Sequence, residues 1–226
     1  DVLDTPQPNT SGDMGARAFG GDPYWVGRLG EAYIRGLHLG ADGKMITVAK
    51  HFPGHGGSDR RPDEEVATVN KSLQELYRIE LAPFFAVTKA GKLGSPSVTD
   101  ALMSSHIRYR GFQGNIRQLT RPISFDAQNL PALMLLPEFT AWRDAGGLLV
   151  SDSLGLPAVK RYYDPSLSTF PYRQIAQEAF LAGNDLLTLS QFALSGDWTE
   201  QYEHITATIT FFQEKYVSDA VFREHV

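Results

Sequence analysis

Gly147-Leu148-Leu149-Val150-Ser151-Asp152 reads as a buried β-strand, apolar at every position until a serine and an aspartate close it. A short run of this kind, apolar on both faces, belongs to a sheet covered by helices on either side. Similar runs recur at Val2-Leu3-Asp4, from Lys44 to His51, from Ala101 to Ile107 and from Asn184 to Leu189. Helical patterns lie between them. Asp22-Pro23 supplies a cap and a first-turn proline ahead of Val26, Leu29, Tyr33 and Leu37, which share one face, and Gly40 is the stop. Ser72-Leu73-Gln74-Glu75 is a capping box. It opens a helix that turns Leu73, Leu76, Tyr77, Leu81 and Phe84 inward and kinks at Pro83. Asp126 caps a helix through Leu130, Leu133 and Leu136, and another runs from Pro171 to Ala182 and ends at Gly183. Tyr202, Ile205, Ile209, Phe212 and Tyr216 form a closing helical stripe. Strands about 20–50 residues apart with a helix between them predict a parallel sheet with right-handed crossovers. The expected fold class is α/β, with five strands and five helices in 226 residues. A complete (β/α)8 barrel needs about 250 residues, so the pattern fits a barrel that is incomplete at its N-terminus, or a doubly wound sheet.

Composition narrows the function. Hydrophobic residues make up 42% and charged residues 21%, which is ordinary for a globular chain and excludes a disordered or coiled-coil one. Lys and Arg number 21 against 26 Asp and Glu, a net charge of −5, so there is no basic footprint for nucleic acid or an anionic membrane. No apolar run approaches the ~20 residues of a transmembrane helix. The absence of cysteine excludes disulfides, thiolate zinc sites and cysteine nucleophiles, and leaves the compartment open. The chain begins at Asp1 with neither a charged segment nor an apolar one of signal-peptide type. The sequons Asn9-Thr10-Ser11 and Asn70-Lys71-Ser72 carry no weight on their own.

The chemistry-bearing residues are grouped. Asp4, Lys50-His51, His106 and Asp152 all fall at the C-terminal ends of strand candidates, the edge where parallel α/β folds build their sites. One aspartate after a strand is often just a helix cap; the coincidence on four strands points to a site. Ser151 lacks the G-x-S-x-G setting of a nucleophile elbow. Gly54-His55-Gly56-Gly57 is followed by no Gly-Lys-Ser/Thr, and no dinucleotide fingerprint is present. His51, His55, Asp59 and Asp63 are zinc-ligand types. His51 and His55 are separated by Phe-Pro-Gly on a loop, not spaced on a helix, so no metal is expected.

Ala49-Lys50-His51-Phe52-Pro53-Gly54-His55-Gly56 resembles the N-terminal barrel domain of glycoside hydrolase family 3, the β-glucosidases and β-N-acetylhexosaminidases. Other segments resemble the family in order: Val2-Leu3-Asp4, the arginine-bearing Gly15–Gly20 ahead of Asp22-Pro23, Ser104-Ser105-His106, Arg121–Phe125, Gly147–Leu156 and Ala182–Leu186. The resemblance covers nearly the whole chain. It implies a single barrel domain over residues 1–226 whose first βα units are missing, together with an acidic sugar-binding segment. It also implies roles for individual residues. Asp152 matches the nucleophile of a retaining hydrolase of terminal β-linked sugars. Lys50 and His51 match the pair that hydrogen-bonds sugar hydroxyls, and Arg17 matches a further sugar contact. Asp4 and His106 join them as strand-end candidates for substrate binding. Lys50 is also placed to hold Asp152 ionised. No cofactor is needed, and the partner is a carbohydrate; the oligomeric state is not legible.

One departure matters. Relatives similar to β-N-acetylglucosaminidases carry an acid/base histidine in the loop after the lysine-histidine strand. Here that loop reads Ser58-Asp59-Arg60-Arg61-Pro62-Asp63-Glu64-Glu65, with no histidine beyond His55. By spacing Asp63 takes its place, either as a carboxylic acid in a two-carboxylate scheme or within a solvated charge run. The glycines and proline of the loop suit a mobile lid. Two competing readings stand beside a glycosidase: a catalytically silent carbohydrate-binding barrel and a metal-dependent barrel hydrolase.

Overall fold

A computed structural model describes residues 2–8, 10–12, 14–89 and 94–226; Asn9 of the first sequon lies outside them. After a 3₁₀ turn at Gly15–Arg17 come α1 (Pro23–Gly40), β1 (Val48–Phe52), β2 (Thr68–Val69), α2 (Leu73–Arg78), α3 (Ala82–Thr88), β3 (Ala101–Ser104), β4 (Arg108–Tyr109) and α4 (Arg110–Gln113). A second 3₁₀ turn at Ile123–Phe125 precedes α5 (Asn129–Met134), α6 (Pro137–Asp144), β5 (Leu148–Ser151), α7 (Pro157–Tyr163), α8 (Tyr172–Leu181), α9 (Trp198–Ser218) and α10 (Ala220–Arg223).

The main sheet is parallel in the order β1-β3-β5, with Val48 opposite Ala101 and Ser104 opposite Ser151. Val2–Asp4 joins it through one bond, Leu3 N–H to the Lys50 carbonyl at 2.7 Å. At the other side Val150 bridges to Leu186. Both flanking segments were expected as strands; Val2–Asp4 makes a single backbone bond to β1, and residues 185–188 bond through their backbone to Leu149, Ser151 and Leu154, neither segment forming a ladder. Neighbours follow chain order without the reversal that marks a doubly wound sheet. A second parallel pair, β2 with β4, was not legible because each strand has only two residues. No helix of the described residues is long and apolar enough to cross a membrane.

Most helices fall where the pattern placed them, with three differences. The α1 stripe is rotated: Val26, Gly27, Gly30 and Ile34 are buried, whereas Leu29 and Tyr33 are exposed. Its glycines set the contact, since a Cβ on Gly27 would sit 2.9 Å from Ala86 Cβ and one on Gly30 2.5 Å from Leu3 Cδ2. Side-chain periodicity does not weigh such close approach. The helix opened by Ser72 is two helices, broken between Arg78 and Ala82 ahead of Pro83, and Leu73 faces out. On α9, Ile205 and Phe212 pack inward while Tyr202, Ile209 and Tyr216 remain exposed.

Phe52 anchors the core beneath the sheet, meeting Phe84 and Phe139 edge-on at ring separations of 5.5 and 5.3 Å. Trp142 is fully buried, and its indole N–H donates to the Thr99 carbonyl at 2.8 Å. A second cluster, including Phe125, Leu154, Ile175 and Phe192, packs behind β5. The Arg143 guanidinium grips Asp185 with both nitrogens, and Asp185 accepts from Leu149 N–H at 2.6 Å. That clamp fixes where the last strand segment meets β5.

Candidate active site

The C-terminal end of β1 delivers Lys50 and His51 beside Asp4. The Lys50–His51 and Phe52–Pro53 peptides are both cis. Asp4 is fully buried and saturated with donors. Its Oδ2 accepts from His51 Nδ1 at 2.7 Å, and its Oδ1 from the His55 backbone N–H at 2.9 Å. The His51 N–H lies 3.3 Å from both oxygens, and His55 Nε2 is 3.4 Å from Oδ2. Burial alone would raise the pKa of Asp4. Electrostatic attraction to His55 and His51, together with the hydrogen bonds from the His51 ring and the His55 backbone N–H, outweighs it and holds the carboxyl well below the usual carboxylate range. Burial pushes His55 down, partly opposed by Asp4, so this ring is neutral near pH 7. The turn that brings His55 over Asp4 requires glycine. Gly54 has φ +115°, and a Cβ on Gly56 would lie 2.0 Å from the Thr5 carbonyl.

Asp4 was expected to touch substrate. Its oxygens are instead spent on His51 and His55, so it organises the site from behind. His106 is corrected in the same way. Its Nδ1 accepts from the Ser124 hydroxyl at 2.7 Å, and its Nε2 donates to the Ser153 carbonyl at 3.0 Å. The ring stacks on Phe125 at 5.3 Å. Both nitrogens are consumed by protein, and His106 supports the loop that carries Asp152.

Asp152 follows β5, half-buried, with its backbone N–H on the Ser104 carbonyl and its Oδ1 accepting from Ser153 N–H at 2.7 Å. Its charge reaches both His55 and His106. Lys50 and Asp152 form no ion pair, contrary to expectation. Lys50 is half-buried and borders a cleft of about 260 Å³ between α1 and β1, with Leu3, Phe19, Tyr33 and Ile34. Arg17 is exposed at the end of the first 3₁₀ turn, its carbonyl bonded to Val2 N–H.

The loop after β1 is docked, not open as a lid reading would have it. The Asp63 carbonyl accepts from Ala158 N–H at 3.1 Å, and Arg161 reaches the Glu64 carbonyl at 2.5 Å. Both contacts join the loop to α7, just after Asp152. Asp59 pairs with Arg60 and accepts from Thr68 N–H, Glu64 pairs with Arg61, and Glu65 pairs with Arg60. Among the described residues Asp63 alone of these acids has no ion-pair partner, and its charge reaches His106, as that of Asp152 does. Of the four zinc-ligand types, His51 and His55 cluster with Asp4, one ligand atom of each lying within 4.8 Å of the others; Asp59 and Asp63 stand apart. A divalent cation there would have to replace the proton between Asp4 and His51.

Two participants escaped the sequence reading. Asn184 ties the strand ends together, accepting from Ser104 Oγ at 2.5 Å and donating to the Ser124 carbonyl at 2.9 Å. Glu80, buried beneath the glycine turn and paired with Lys71, has its pKa raised by burial against that pairing. The signal for Glu80 was available: a lone acid between Leu76 and Phe84 on an inward stripe.

The buried histidines set a pH response. His55 and His106 are both depressed by burial, so below about pH 6.5 the unfolded chain takes up protons that the folded one refuses. Stability falls on acidification. Asp4, with its lowered pKa, adds to the loss only below about pH 3.9. Chemical denaturation at pH 7, 6 and 5 is expected to show a falling midpoint, with a shallower fall in His106→Gln. A midpoint constant across that range would contradict neutral burial.

The chain resembles known proteins over parts or all of its length. A β-hexosaminidase of Hydrogenovibrio crunogenus is 38% identical over 96 residues, 42% of this chain and 24% of that protein. One from Xylella fastidiosa strain M23 is 31% identical over 159 residues, 70% of this chain and 41% of that protein. The chain thus matches a quarter to two fifths of the length of these relatives. The solved glycoside hydrolase family 3 β-N-acetylglucosaminidase from Paenibacillus sp. FPU-7 superposes with TM-score 0.72 at 24% identity, over 99% of this chain and 37% of that one. The family profile described as the glycosyl hydrolase family 3 N-terminal domain matches residues 1–220, and the chain belongs to that family.

Proposed function

We propose that the chain forms the catalytic face of a retaining O-glycosyl hydrolase that removes terminal β-linked sugars, β-N-acetylhexosaminides or β-glucosides, built on an incomplete (β/α)8 barrel. The observation that carries this is the placement of Asp152 at the end of β5, on the same sheet edge as Lys50 and His51, with the loop of Asp63 bonded to the helix that follows Asp152. Family membership and the names of the relatives support it. In the first step an Asp152 oxygen bonds to the anomeric carbon as the glycosidic bond breaks, and Asp63 gives its proton to the leaving oxygen. In the second step Asp63 takes a proton from water, whose oxygen displaces Asp152 and releases the sugar. Lys50, His51 and Arg17 bind hydroxyls. A 2-deoxy-2-fluoro glycosyl fluoride tests the scheme, because it should leave a mass adduct on Asp152. An adduct on another carboxylate would sink the assignment.

A silent carbohydrate-binding barrel is the second reading, favoured by the missing loop histidine. Sugar binding with no turnover and no adduct would select it. Loss of turnover on chelation would select the metal-dependent hydrolase.

A further inference from the structure

We infer that Asp4 fixes His51 as a hydrogen-bond acceptor at the sugar face, so that the ligand must present a free hydroxyl that donates to His51 Nε2. The word sugar rests on the proposed function; the protonation pattern is a property of the free protein.

The geometry leaves His51 little choice. An ionised carboxylate only accepts, so the proton in the 2.7 Å contact between Asp4 Oδ2 and His51 Nδ1 sits on Nδ1. The carboxylate cannot swing away, because Oδ1 is bound by the His55 backbone N–H and both oxygens face the His51 N–H. A neutral imidazole with its hydrogen on Nδ1 bears a lone pair on Nε2. Among the described residues that nitrogen has no hydrogen-bond partner, and it is not one of the buried side-chain atoms left without one, so it is the open edge of an otherwise buried ring. His55 lies against the same ring at 4.3 Å and is kept neutral by burial.

His51 therefore selects by hydrogen-bond direction. A hydroxyl that meets this nitrogen donates to it. Fluorine, a methoxy group or a carbonyl in that place leaves His51 Nε2 facing an acceptor. Asp4 is the positioning residue for this choice. His106 makes the contrast, because its two nitrogens are both tied to protein.

The experiment is 15N NMR of the full chain labelled at its six histidines, recorded at pH 8, with His51→Gln identifying the His51 signals. His51 should show a protonated Nδ1 and a bare Nε2. In Asp4→Asn a carboxamide N–H can face Nδ1 and the pattern should reverse, as for the aspartate of a serine-protease triad. A protonated Nε2 in the wild type overturns the inference, and this measurement needs no variant that folds poorly. The second arm titrates N-acetylglucosamine and its 3-, 4- and 6-deoxyfluoro forms. Fluorine at one position should weaken binding about tenfold or more, the cost of an unmade bond to a buried group. Equal binding of all the fluorinated forms overturns the hydroxyl requirement. A bare Nε2 with no binding of any of these sugars overturns the functional reading and the hydroxyl requirement with it, while the tautomer assignment is upheld.

Discussion

Asp152→Asn is expected to lower kcat by about four orders of magnitude or more, the scale on which nucleophile removal acts in covalent catalysis. A carboxamide is nearly isosteric with the carboxylate but does not attack an anomeric carbon. The fold should be untouched, for a local reason. Among the described residues the one hydrogen bond to the Asp152 side chain is accepted by Oδ1 from Ser153 N–H, and the Asn carbonyl oxygen can accept it equally. The strand behind it is held by Leu149, by the Arg143–Asp185 clamp and by the backbone bond from residue 152 to Ser104. Unchanged melting with collapsed turnover is therefore the expected pair of results. Activity within tenfold of wild type in a well-folded Asp152→Asn would remove Asp152 from the mechanism.

What the sequence makes legible here is apolar patterning and strand-end chemistry. The segment ending at Asp152 forms β5, and the segment carrying Lys50 and His51 forms β1, because runs apolar on both faces have few places to go in a small domain. The roles of the polar residues are harder to read. Asp4 and His106 were placed on the right edge, but whether a side chain meets ligand or protein depends on partners distant in sequence. His51 and His55 reach Asp4 across 47 and 51 residues, and Ser153 reaches His106 across 47. No local pattern records such pairings. The same holds for α1, where the buried face is decided by two glycines whose value lies in what they let approach. Exposure of Tyr202 and Tyr216 on α9 has a related cause: helical spacing shows which residues share a face, not what lies opposite that face.

Asp63→Ala tests the other half of the mechanism, and its result should depend on the leaving group. A positioned general acid contributes about 10²- to 10⁴-fold, and only where the departing oxygen needs its proton. Substrates with poor, alkyl-type leaving groups should slow by that amount, whereas activated aryl glycosides, whose departing oxygen is already stable as an anion, should lose far less in the first step. Deglycosylation also uses Asp63, as the base for water. Added azide needs no base, so it should restore the rate and yield a β-glycosyl azide of retained configuration. The loop chemistry singles out Asp63. Asp59, Glu64 and Glu65 are each engaged by an arginine, while among the described residues Asp63 has no such partner, and its backbone is bonded to Ala158 of α7, the helix that follows Asp152. Retention requires the two carboxyls to work about 5–5.5 Å apart when sugar is bound. Alanine at Asp59, Glu64 or Glu65 should therefore leave leaving-group dependence unchanged. Equal loss on both substrate types in Asp63→Ala, with no azide product, would show that the proton comes from another group.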